Sequence, residues 1–134
     1  MKRRQVVIAL GAWIAFLTAR PHGAWAWLRD APRPDAAERL LSALGRPESA
    51  AVVGRRYLAG HPGEADRRRL AESLDLDLRR QDCDPAQADP ARLRAGITRQ
   101  VRADFAHGRV VRVDGWVLSV SEARLCALAA LTPA

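Results

Sequence analysis

The groups that most often carry enzyme chemistry are scarce in this chain of 134 residues, which has three histidines, two cysteines and one tyrosine. Two cysteines are too few for a disulfide-dense miniprotein, and neither Cys-x-x-Cys nor a Cys/His cluster occurs. A Gly-rich phosphate loop, a nucleophile elbow and a metalloprotease helix are also missing. Only one uninterrupted apolar run exists, the 14 residues from Val6 to Ala19. A membrane-crossing helix needs roughly 20, so a multi-pass membrane protein is excluded. Lysine is confined to Lys2 and aromatics make up 5% of the chain. What is present is 49% apolar and 28% charged. That is the balance of a small globular domain, not of a disordered tail or a collagen-like repeat.

The apolar run follows Met1-Lys2-Arg3-Arg4-Gln5 and ends at Arg20-Pro21-His22-Gly23. Positive, apolar and polar zones in that order are the pattern of a secretory signal. Ala24-Trp25-Ala26 then offers small residues on either side of a large one, which predicts cleavage after Ala26. Retention of the leader as an anchor is the alternative. Adjacent Arg3 and Arg4, a segment diluted with Ala and Gly, and Arg20 behind it resemble the twin-arginine export signal of bacteria. The resemblance is partial, since Lys2 stands where that signal has Ser or Thr and Val6 where it has Phe. The alternative is an ordinary general-secretory leader, whose start needs only positive charge. The twin-arginine resemblance implies export of an already folded protein to the periplasm, with the export machinery as a partner and the membrane touched only in passage.

The leader also explains most of the charge. Lys2, Arg3, Arg4 and Arg20 carry four of the seven net positive charges, leaving 18 arginines against 15 acids in the rest. An excess that small is ordinary for a soluble domain, and no nucleic-acid partner is expected. Residues 1–26 therefore read as signal peptide, 27–34 as a Pro-containing linker and 35–134 as the working domain.

Within that domain, apolar spacing predicts a mostly α-helical fold of about five helices, with one β-hairpin between the last two. Asp35 caps a helix over Ala36 to Leu44, with Ala37, Leu40, Leu41 and Leu44 on one face. A second runs from Pro47 to Ala59 and buries Ala50, Val53, Tyr57 and Leu58. Gly54 within it either weakens the helix or admits a neighbouring backbone. A third, Glu64 to Arg80, turns Leu70, Ala71, Leu74 and Leu78 inward. Glu64–Arg68 and Arg68–Glu72 are read as surface pairs on its solvated face. Asp89-Pro90 opens a fourth, where Leu93, Ile97, Val101 and Phe105 recur every four residues. After Gly108 the period falls to two, and Asp114-Gly115 between apolar runs signals a hairpin over 109–118. Ser119 and Glu122 form a capping box for a final helix to about Leu131, expected against the hairpin and the fourth helix.

Candidate functional residues are few. Asp104 and His107 lie three apart on one helix, a spacing that could orient an imidazole. With the loop around His61 they make the best case for a self-standing periplasmic enzyme or ligand-binding protein. The structural alternative for His107 is a cation favoured at a helix C-terminus. Cys83 and Cys126 could pair in an oxidising medium, closing a loop of about 43 residues worth roughly 3–4 kcal/mol, or stay free and buried. Trp116 and Arg112 are candidate interface residues, although pairing with Val113 favours a core position for Trp116. No cofactor or metal is expected.

The stretch from Asp104 through Ser119 to Leu128 resembles the end of a group of small exported proteobacterial proteins of uncharacterised role, which implies export and assigns no catalytic residue. In layout alone, a twin-arginine leader before a small helical domain is similar to the small subunits of membrane-bound flavin-dependent sugar and polyol dehydrogenases. That likeness implies an accessory or escort subunit bound to a periplasmic enzyme partner. The export reading predicts that protein recovered from the periplasm begins at Trp27 on N-terminal sequencing, and that replacing Arg3 and Arg4 together by Lys retains it inside the cell.

Overall fold

In the computed structural model of the protein, residues 35–133 are described. The export residues Arg3, Arg4, Ala24 and Ala26 and the linker lie outside them. Each helix start has a local cause. Asp35 and Glu38 form a reciprocal capping box on α1 (Ala36–Ser42), with Asp35 Oδ1 accepting from the Glu38 amide at 2.7 Å. Proline occupies the first turn of α2 (Pro47–Gly60), where its missing N–H costs nothing. A short 3-10 turn, Pro62–Glu64, leads to α3 (Arg67–Arg79), capped by Asp66, and Asp89 caps α4 (Pro90–Ala106). The strands β1 (Val110–Val113) and β2 (Trp116–Ser119) follow, and the Ser119–Glu122 capping box starts α5 (Val120–Leu131). The described chain thus has five α-helices and one antiparallel hairpin between α4 and α5.

Val113 faces Trp116 and Val111 faces Leu118 across the hairpin, the register the sequence predicts. Asp114 and Gly115 both adopt positive φ, 49° and 82°, the type I′ geometry that suits a two-residue turn. The ribbon lies on α2, α4 and α5.

The last helix is the centre of the fold. It touches every other helix and both strands, and Ala123, Ala127 and Leu128 are wholly buried on it. It packs on the hairpin and α4, as the sequence leads one to expect, but its main partner is α2. The reason is Gly54, since a Cβ at that position would overlap the Cys126 carbonyl. Glycine thus lets the two backbones meet, and the alanines of α5 keep the seam narrow. Around this pair the core takes Ala37 and Leu40 from α1, Tyr57 from α2, Leu70, Leu74 and Leu78 from α3, Leu93 from α4 and Val113 from the hairpin.

Two sequence readings are corrected. Glu64 precedes α3 instead of opening it, so no Glu64–Arg68 surface pair forms, whereas Arg68–Glu72 does, at 3.4 Å. The four-residue stripe of α4 does not stay inward. A helix turns about 100° per residue, so each four-residue step slips by about 40°, and Phe105 ends 47% exposed. The buried face is instead Leu93, Gly96, Gln100 and Asp104. Of the two alternatives for the cysteines, the structure has Cys83 and Cys126 free. Cys83 sits under Gly96 with its thiol 3.9 Å from the Arg92 carbonyl, while Cys126 belongs to the α2–α5 seam.

Replacing Gly54 by Ala tests the seam. Although alanine favours helix by about 1 kcal/mol, the overlap forces α2 and α5 apart. The expected net loss is about 2 kcal/mol, seen in thermal melts as a Tm lower by roughly 10 °C.

Candidate functional site

Two polar clusters and one apolar groove hold the functional candidates. The first cluster surrounds Asp104, which is 1% exposed. Its Oδ2 accepts from the backbone N–H of Ser121, in the first turn of α5, at 2.8 Å, and its Oδ1 accepts from Gln100 Nε2 at 2.9 Å. Arg109 spans two buried acids, lying 3.3 Å from Asp104 Oδ1 and 3.4 Å from Asp77 Oδ2. A carboxyl group aimed at the positive end of a helix, with an arginine beside it, is held in place by all its neighbours. Asp104 therefore joins α4 to the start of α5. His107 does not share it, since its Nδ1 lies 2.7 Å from the Ala103 carbonyl on the exposed end of α4. The two residues nevertheless line one recess, together with Asp77, Gln100 and Arg109, and Asp104 makes its hydrogen bonds to Gln100 and Ser121 there while the His107 ring bonds to its own helix.

The second cluster was not foreseen. Arg124 of α5 grips both oxygens of Glu64 at 3.1 Å, and its third nitrogen donates to Ser73 Oγ of α3. The Tyr57 hydroxyl donates to Glu64 Oε2 at 2.8 Å. Arg124, followed by the tyrosine hydroxyl, holds the Glu64 carboxyl below its ordinary pKa against the opposing effect of burial. Burial, then the neighbouring Glu64 charge, push Tyr57 up to about 12. His61 stacks on the Tyr57 ring at 4.3 Å, with Nδ1 3.0 Å from the Tyr57 carbonyl. The loop histidine thus closes the end of α2. It has no partner in common with Asp104 or His107, so the three do not form one site.

The groove lies between α2 and the hairpin. Val52, Val53 and Arg56 form one wall, and Val113, Asp114, Trp116 and Leu118 the other, around a volume of about 290 Å³. Arg56 and Asp114 close its rim with a 2.7 Å ion pair that stays well exposed. Trp116 is 75% exposed, which overturns its placement in the core. The cause is the lie of the ribbon: β1 rests on α2 and carries Val113 inward, while β2 makes its helix contacts with α4 and α5. The indole is left projecting beside the groove. Arg112 pairs with Val117 in the ribbon, on the face opposite Trp116, so the two candidate interface residues are separated. Val110 and Val117 are the exposed apolar residues of that outer face.

Among the described residues no group of three or more His, Cys, Asp or Glu could hold a metal ion. No helix there is long and apolar enough to cross a membrane. Comparison with protein-family models, with curated proteins and with solved structures returns no match.

The Tyr57 arrangement makes a direct prediction, because this is the only tyrosine of the chain. Ultraviolet titration of its phenolate should show a midpoint near 12 in the native protein and about 10 after unfolding. The folded pKa lies above the unfolded one, so this contribution to stability is complete below about pH 10 and is lost as pH rises from there towards 12. Tyr57→Phe should remove that alkaline loss. A native midpoint at the ordinary value would contradict the buried Tyr57–Glu64 contact.

Proposed function

We propose that this protein is an exported accessory subunit that acts by binding a periplasmic enzyme, with the groove beside Trp116 as its docking face. One observation carries this reading: a large indole projects into solvent next to an apolar recess on an otherwise well-packed domain. Tryptophan is among the residues most enriched where a few contacts supply most of the binding energy. Its ring offers an apolar body and an N–H donor that tolerates a wet rim. The groove is built on a helix and a hairpin fixed by a type I′ turn, so it is presented with little ordering cost.

The polar clusters support the same reading by what they are used for. Asp104, Asp77 and Glu64 are each engaged in contacts that join one element to another. The leader, with its likeness to twin-arginine signals, supports export of the folded domain. A partner lacking its own leader would fit that route.

The test is direct. The exported protein, recovered from its native host after cross-linking, should bring down an enzyme subunit, and the purified pair should bind without the cross-linker. Trp116→Ala, at an exposed position, should leave the circular dichroism spectrum unchanged and weaken the pair by about tenfold or more. Equal binding by wild type and variant would reject the groove as the docking face.

A further inference from the structure

We infer that, before a partner arrives, the Trp116 groove is occupied by a second copy of this chain. The inference rests on the reading of the groove as a docking face, and it supplies the regulation of that face.

A two-fold contact requires one patch to carry both halves of every interaction. This patch does. It has a projection, Trp116, which stands as the exposed wall of a recess it lines with Val52, Val53 and Leu118. It has a cation, Arg56, beside an anion, Asp114. With two copies face to face about an axis between the indoles, each Trp116 enters the opposite recess. Each Arg56 then meets an Asp114 from either chain, so the rim keeps its pairing throughout. A rim of one sign would repel its own copy, whereas this one is neutral and self-complementary.

Size sets the strength of the contact. An indole buries at most about 250 Å², and two of them with the flanking valines fall below the roughly 1,200 Å² of a standard stable interface. The dimer is therefore weak and concentration-dependent. A partner offering a larger surface displaces the second copy, so self-contact covers the exposed apolar face without blocking its use.

Sedimentation velocity of the exported protein, purified without cross-linker, from about 1 to 100 µM, the range of weak complexes, tests this. The wild type should shift from one to two chain masses across that range. Trp116→Ala, which removes the projection, and Val52→Arg, which fills the recess from an exposed helix position, should each need at least about tenfold more protein to do so. Circular dichroism checks that both variants remain folded. A wild type of single mass at every concentration overturns the inference, as does dimerisation of both variants at wild-type concentrations. Partner binding measured on the same preparations separates the two ideas. Loss of binding in Trp116→Ala beside a monomeric wild type leaves the docking face standing and removes only the self-contact. Unaltered partner binding beside a Trp116-dependent dimer removes the docking face and leaves the self-contact.

Discussion

The backbone contact between α2 and α5 at Gly54 is the constraint on which the fold depends. Wherever a side chain occupies a helix surface, packed helices stand about 8–10 Å apart. Here the absence of a Cβ at Gly54, opposite the Cys126 carbonyl, removes that spacer. The close seam is completed by alanines, which fill space without adding conformational entropy to be lost. With α5 drawn against α2, the remaining faces of α5 are free to receive α1, α3, α4 and the ribbon. A nearly all-round apolar helix is thus accommodated by making it the axis of the domain.

Polar groups then fix what apolar contact alone leaves loose. Apolar surfaces tolerate sliding, but the Glu64–Arg124 pair and the Asp104–Ser121 contact do not, because each has directional partners on a different element. They hold α5 from two sides, one through the turn between α2 and α3, the other through the C-terminal half of α4. Removing a partner of Asp104, which is fully buried, would leave a carboxylate under-satisfied, which costs more than the contact itself contributes. The buried acids of this small domain thereby serve its architecture, while its indole at Trp116 is left exposed.

Local chemistry made much of this legible in the sequence. The caps at Asp35, Asp89 and Ser119, the Asp114-Gly115 turn and the hairpin register all depend on neighbours within a few residues, and each is as expected. Readings that required a partner far along the chain fared differently. Nothing near Glu64 announces Arg124, sixty positions away, so the acid was assigned to a surface pair. The inward turn of Gln100 and Asp104 was legible in principle, since with Leu93 and Gly96 they repeat near 3.6 residues, whereas the apolar stripe repeats at four. The exposure of Trp116 was hidden because the pairing register fixes which side chains share a face, but not how far the supporting helices extend beneath that face.

The placement of α5 bears on how the molecule comes into being. A ribosome delivers the described elements in chain order, and the one that all the others need arrives after them. Until it emerges, the apolar sides of α1 to α4 have no common surface to close on, and their mutual contacts span few residues of the final core. Vectorial synthesis therefore ends in a late, concerted collapse rather than stepwise accretion.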